Sequence, residues 1–171
     1  MKLANLEDIS LDKIIQFKTS FNYSNDIIHG SNNLQYSKDL EKWMKEIRTL
    51  SKKDYNGKVQ TSHFALLNDD NEMVGMSDLK HHLTSYLQKE GGNISYSISP
   101  HYQNRGFGKL ILKESLYQAK NYGSKKVLLT CREDNLASRK VILANNGQFI
   151  RKLIINRKAV EHYVVDLENY N

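Results

Sequence analysis

The sequence has one cysteine, Cys131, and one proline, Pro100, among 171 residues. A single cysteine excludes an internal disulfide and fits a reducing, cytoplasmic setting. No apolar run approaches the ~20 residues that span a bilayer, so no membrane helix is expected. The opening Met1-Lys2-Leu3-Ala4-Asn5 lacks the apolar stretch of a secretion signal. Repeats and low-complexity tracts are missing as well. The formal charge is +6, but the basic residues are dispersed and form no arm or dense run. Binding to nucleic acid therefore has only net charge in its favour, and a solvated lysine-rich surface explains that charge equally well.

What remains is an ordinary globular composition, 39% apolar and 26% charged, on a chain suited to one domain spanning residues 1–171. A short strand is expected at Lys2 to Asn5. Leu11, Ile14, Ile15, Phe17 and Phe21 give the next segment a helical apolar face. Asn22 to Asn33 reads as a loosely held polar connection. Leu40, Trp43, Met44, Ile47 and Leu50 then recur at helical steps, which places Trp43 in the core rather than at a ligand. Val59 to Leu67 and Met73 to His82 read as strands joined by a turn at Asn68-Asp69-Asp70-Asn71, and Leu83 to Glu90 as a helical turn.

The chain is organised around Ser99 to Lys109. Before it, Asn93 to Ile98 alternates polar and apolar residues like a half-buried strand, and Pro100 ends it. From Phe107 on, Phe107, Ile111, Leu112, Ser115, Leu116, Ala119 and Tyr122 share one half of a helical wheel that stops near Gly123. A strand, a turn with two glycines and a helix N-terminus form an anion site, because unpaired backbone N–H groups and the helix dipole both favour negative charge. Lys125 to Cys131 reads as a buried strand, parallel to the one before the helix. A helix from Asn135 to Asn145 and an antiparallel pair, Gln148 to Asn156 and Val160 to Leu167, complete a mixed α/β pattern.

Gln103-Asn104-Arg105-Gly106-Phe107-Gly108 resembles the Q/R-x-x-G-x-G/A cofactor motif of the GNAT superfamily of N-acetyltransferases, and Asn135 with Ser138 resembles the Asn-x-x-Ala/Ser start of its following helix. Stretches such as Gly75 to His81, Gly91 to Tyr96 and Leu129 to Asn135 are similar to an uncharacterised bacterial branch. The resemblance implies the GNAT fold: a mostly antiparallel central sheet flanked by helices, with one parallel strand pair splayed around acetyl-CoA. It implies that the backbone from Arg105 to Lys109, with Gln103 and Asn104 before it, cradles the pyrophosphate. Gly106 and Gly108 admit phosphate oxygens closely, and Arg105 and Lys109 add charge. The backbone of Ile98 is left to pair with the pantetheine amides, and Asn135, with Ser138 one turn on, meets the cofactor; Asn135 reads equally as a helix N-cap.

The implied reaction is acetyl transfer from acetyl-CoA to a primary amine of a small molecule or peptide, by direct attack in a ternary complex and without a metal. It needs a neutral amine, an oxyanion donor and often an acid for the thiolate. Two positions depart from the family pattern. Ile142 stands where a tyrosine acid is common, and Asn93 where a glutamate base is common. His81 and Tyr96 are the candidate substitutes, each set against a plain structural reading; His81 and His82, adjacent on a strand, point apart and form no metal site. Cys131 reads as a buried inert thiol. The alternative is a non-catalytic acyl-CoA-binding module. The acceptor is expected near Asn22 to Gln35, the Leu83 to Gly92 loop and the final hairpin, and a homodimer accords with the family.

Overall fold

The computed structural model describes residues 1–22, 24, 26–168 and 170. Two antiparallel sheets carry the fold. The first orders its strands β1 (Lys2–Asn5), β2 (Thr61–Leu67), β3 (Met73–Lys80) and β4 (Ile94–Ile98) side by side. The second orders β5 (Lys126–Arg132), β7 (Lys158–Asp166) and β6 (Gln148–Ile155), with β7 in the middle. The helices are α1 (Leu11–Thr19), α2 (Leu40–Leu50), α3 (Phe107–Asn121) and α4 (Leu136–Leu143). The segment expected to turn helically at Leu83 to Glu90 forms hydrogen-bonded turns, Gln88 N–H to Thr84 O and Glu90 N–H to Tyr86 O.

One face of the first sheet takes α1 and α2. Asp39 caps α2 by accepting from Lys42 N–H at 2.9 Å, and Trp43, Met44, Ile47 and Leu50 are buried. The Trp43 indole N–H reaches the carbonyls of Ser31 and Asn32, each at 3.1 Å, so the helix holds the connection before it in place. That connection is anchored rather than loose: His29 N–H donates to Ser97 Oγ at 2.7 Å, and Ile28 is buried. Tyr23 and Asn25, which also fall in the expected polar connection, lie outside the described residues.

The opposite face takes α3. Ile111, Leu112, Leu116 and Ala119 are buried against it, and a Cβ on Gly75 would meet Ile98 Cδ1 at 2.8 Å and Ile111 Cδ1 at 3.0 Å. Glycine at that point lets the helix lie down on the sheet. Covered on both sides, β2 is buried at every residue. Ser77 and Ser115, both 0% exposed, satisfy each other across the β3–α3 contact at 2.8 Å. Ser115→Ala leaves the Ser77 hydroxyl buried without that partner, and an equilibrium urea titration is expected to show a loss of about 1–3 kcal/mol. Ser77→Ala added to Ser115→Ala is expected to recover part of it, since no orphan hydroxyl then remains.

Among the described residues, the expected parallel strand pair is not seen as a hydrogen-bonded ladder. Along its length β5 pairs antiparallel with β7, from Lys126 opposite Asp166 to Arg132 opposite Val160. No parallel ladder joins β4 to β5 among the described residues. Nor is β5 buried throughout. Val127, Leu129 and Cys131 are buried while Lys126 and Arg132 are exposed, because only one face of this sheet is fully covered. β7 takes one edge of β5; the other edge faces β4, and among the described residues its backbone is met by Asn93 at Leu128 alone.

Candidate active site

Beyond β4 the chain bends where Pro100 opens a single tight helical turn, with Ser99 N–H held by Val74 O at 2.9 Å. Gln103 to Gly106 then run exposed over the end of the sheet. Asn104 takes φ 60° and Gly106 φ 85°, left-handed values that turn the chain into α3. A Cβ on Gly106 would meet nothing within 4 Å, so its requirement for glycine is conformational. Among the described residues, the backbone N–H groups of Arg105, Gly106, Phe107, Gly108 and Lys109 have no acceptor. Five consecutive free donors at a helix N-terminus are a ready anion site.

The side chains around this turn divide by role. Phe107 is buried and packs its ring edge-on to Tyr102, with centroids 5.9 Å apart, which anchors the turn to the core. Arg105 lies over the Tyr102 ring at 5.5 Å, and Lys109 is exposed. The Gln103 amide donates to Ile98 O and to Asp26 Oδ2, each at 3.3 Å, tying the turn to β4 and to the α1–α2 connection. The nearest atom to a Cβ on Gly108 would be Val141 Cγ2 at 3.3 Å. Glycine there also serves the contact of α3 with α4.

Next to the turn, β4 is an edge. Lys80 N–H donates to Asn93 O and Ser99 N–H to Val74 O, so these are hydrogen-bonded pairs of the β3–β4 register. Ladder bonds alternate along an antiparallel pair, which turns the backbone groups of Ile94, Tyr96 and Ile98 away from β3. Among the described residues, no strand pairs with them there. Ile98 O is met by Gln103, leaving its N–H and the Tyr96 peptide groups.

Across from this edge stands the start of α4. Asn135 caps the helix, its Oδ1 accepting from Ser138 N–H at 3.0 Å, which leaves its amide nitrogen free to donate. Tyr96 spans the space between: its hydroxyl lies 3.4 Å from Ser138 Oγ, and its ring edge is 4.0 Å from the Cβ position of Gly108. Burial pushes the phenol pKa up to about 12, a rise the Ser138 hydrogen bond only partly offsets. Cys131, buried nearby, has its thiol pushed up to about 11 by burial first and Glu161 second, the state of an inert thiol. Ile142 is 1% exposed and belongs to the core.

His81 stands away from the amide turn. Its ring packs edge-on to Tyr122 at 4.7 Å, and Nε2 lies 2.9 Å from Ser62 Oγ. Tyr122 follows the last turn of α3, and 15 residues of helix put that end about 22 Å from its N-terminus. His82 makes an exposed ion pair with Asp54 at 3.2 Å.

Two features escaped sequence reading. Asn93 is fully engaged in backbone hydrogen bonds. On the α1–α2 face, Asp78 accepts from Ser95 N–H and from Lys80 Nζ, each at 2.8 Å, and Lys80 also reaches Ser95 Oγ at 3.1 Å. Beside them His63 is buried, its pKa lowered to about 4 by desolvation, and a cavity of about 210 Å³ opens against these residues. The only signal in the sequence is the alternation Asp78, Lys80 and Ser95, Ser97 in strands that bury both faces. Among the described residues, no group of His, Cys, Asp or Glu is arranged to hold a metal, and no helix is long and apolar enough to cross a membrane.

An anion-ready turn, an open strand edge and a capped helix converge here in a mixed α/β fold, the arrangement of a CoA-type acyltransferase. The chain belongs to the acetyltransferase (GNAT) family, whose model matches residues 28–147. Solved structures agree in fold. A spermidine N-acetyltransferase SpeG variant from Vibrio cholerae superposes with a TM-score of 0.68 at 12% identity, covering 99% of this chain and 97% of that one. RimL, a ribosomal-protein α-N-acetyltransferase in complex with coenzyme A, gives 0.70 at 16%, covering 97% and 93%. A GNAT-family acetyltransferase from Bordetella pertussis gives 0.62 at 11%, covering 90% and 87%. A search of curated proteins found no match.

Proposed function

We propose that this protein transfers an acetyl group from acetyl-CoA to a primary amine, by direct attack in a ternary complex. The observation that carries the reading is the run of five acceptor-less amides, Arg105 to Lys109, adjoining the open edge of β4. The amides suit a pyrophosphate, with Arg105 and Lys109 adding positive charge at its rim. Asn104, in its left-handed conformation, and Gln103 shape the cradle. The Ile98 N–H and the Tyr96 peptide groups suit the amides of an extended arm, as an added strand would use them. Asn135, with its amide nitrogen free, and Ser138 face that arm from α4.

When bound, the cofactor supplies an acetyl thioester. The chain's own part is to align it, to exclude water, and to keep a proton at hand. Tyr96 is the group that keeps one, since its raised pKa leaves the phenol protonated at physiological pH. On the α1–α2 face Ser97 is covered by the connection before α2, through His29 N–H. The cavity beside the Asp78–Lys80 pair is open to an acceptor amine, whose recognition would then fall to residues far from the motif. Relatives by fold acetylate spermidine or a protein N-terminus, which supports an amine acceptor, of a small molecule or a peptide.

A non-catalytic acyl-CoA-binding module is the second reading. Two observations favour it: the Asn93 amide is committed to backbone, and Ile142 is buried, so neither usual position offers a titratable group. A thermal-shift titration followed by thiol release separates the two. Acetyl-CoA at 100 times its Kd is expected to stabilise the fold by about 2.7 kcal/mol and to raise Tm by roughly 5–10 °C. No shift at saturation overturns both readings. A shift with thiol release on spermidine, amino acids or peptides with free N-termini supports the enzyme; a shift with turnover on none supports the module.

A further inference from the structure

We infer that Asn93 is a positioning residue: it pins β4 to β5 at a single point and so sets the spacing of the groove that the acyl-carrying arm would enter. The inference rests on the cofactor reading above. Every polar group of Asn93 is used. Its backbone O accepts from Lys80 N–H at 2.7 Å and its side-chain Nδ2 donates to Lys80 O at 3.1 Å, so it is bound to β3 twice. Toward the other sheet, its backbone N–H donates to Leu128 O at 2.7 Å and its Oδ1 accepts from Leu128 N–H at 2.8 Å. One residue thus satisfies both peptide groups of Leu128, its side-chain amide doing the work of a neighbouring peptide.

The close approach has a second requirement. Gly92 stands at φ 64°, and a Cβ there would lie 2.4 Å from Leu128 O, so the chain meets β5 only with glycine before the asparagine. Past this point the two strands share no ladder. β4 continues to Ile98 and the amide turn, and β5 continues to Arg132 and the Asn135 cap. Those two ends are near each other, as Tyr96 shows by reaching Ser138. The strands therefore leave a common pin and frame a groove with one closed end, and the pin fixes its width.

This also explains why a base is missing at position 93. A carboxylate at the amide's position could accept from Leu128 N–H but would set its second oxygen against the Lys80 carbonyl. A neutral amide, donor on one side and acceptor on the other, is what the joint demands.

The test compares two ligands in one protein. Acetyl-CoA spans groove and cradle; adenosine 3′,5′-bisphosphate carries only the nucleotide end. In Asn93→Ala, acetyl-CoA affinity measured by calorimetry well below the melting temperature is expected to fall at least about tenfold. The bisphosphate is expected to stay within about twofold, and the Leu128 amide to exchange its proton faster. Asn93→Asp keeps the bond from Leu128 N–H but turns an oxygen on the Lys80 carbonyl, so it should lose at least as much as alanine; Asn93→Ser, small and uncharged, carries the comparison if the alanine variant does not fold. Unchanged acetyl-CoA affinity in a folded variant overturns the inference, and so does an equal loss for both ligands. A wild-type protein that binds neither overturns the cofactor reading itself.

Discussion

Gly106→Val is expected to weaken acetyl-CoA binding by at least about 100-fold, or about 2.7 kcal/mol. The residue sits at φ 85° as the N-cap of α3, and a β-branched side chain resists that conformation. Holding it there costs of order 1–3 kcal/mol, and relaxing it turns the neighbouring amides away from a common target. The open space around the Cβ position means that no clash with protein contributes. Gly57 is a natural control, since it has φ 74° and also meets nothing within 4 Å. Gly57→Val should bear a similar strain and leave acetyl-CoA affinity unchanged. Calorimetric titration of both variants decides the matter, and equal affinities would show that the turn holds no phosphate.

Tyr96→Phe is expected to lower kcat by about 10²-fold or more on any amine that supports turnover, with acetyl-CoA affinity little changed. The variant keeps the ring against Gly108 and removes only the hydroxyl near Ser138. The pH dependence follows from the direction of its shift. A phenol raised to about 12 holds its proton across the working range, so it supplies an acid and never a base. Rate should therefore climb as the acceptor amine loses its own proton, with no descending limb below about pH 11. A limb between about pH 8 and 9 that persists in Tyr96→Phe would assign the acid to another group.

The contrast between Tyr96 and His81 shows how far sequence reading reached. Both were chemically reasonable candidates, one in the strand before the motif and one near its start. Alternation placed Tyr96 on the face of Ile94 and Ile98, and the structure carries it to Ser138. His81 leaves the end of β3 toward Tyr122, a contact between residues 41 positions apart that no local pattern encodes. Gly106 and Gly108 make the same point at shorter range. The left-handed turn at Gly106 is written in the motif, whereas the contact of Gly108 with Val141, on another helix, is not.

The sequence by itself determined the turn, the amphipathic stripe of α3, the alternation of β4 and the cap at Asn135. Each of these depends on backbone conformation and side-chain period within a few residues, and the family motif lies on top of them. The tertiary structure alone decided which strand β5 would pair with, and that choice shapes the site. β7 fills one edge of β5, and on the other edge Asn93 holds the two sheets together at Leu128, a pairing between residues 35 positions apart that no local pattern encodes.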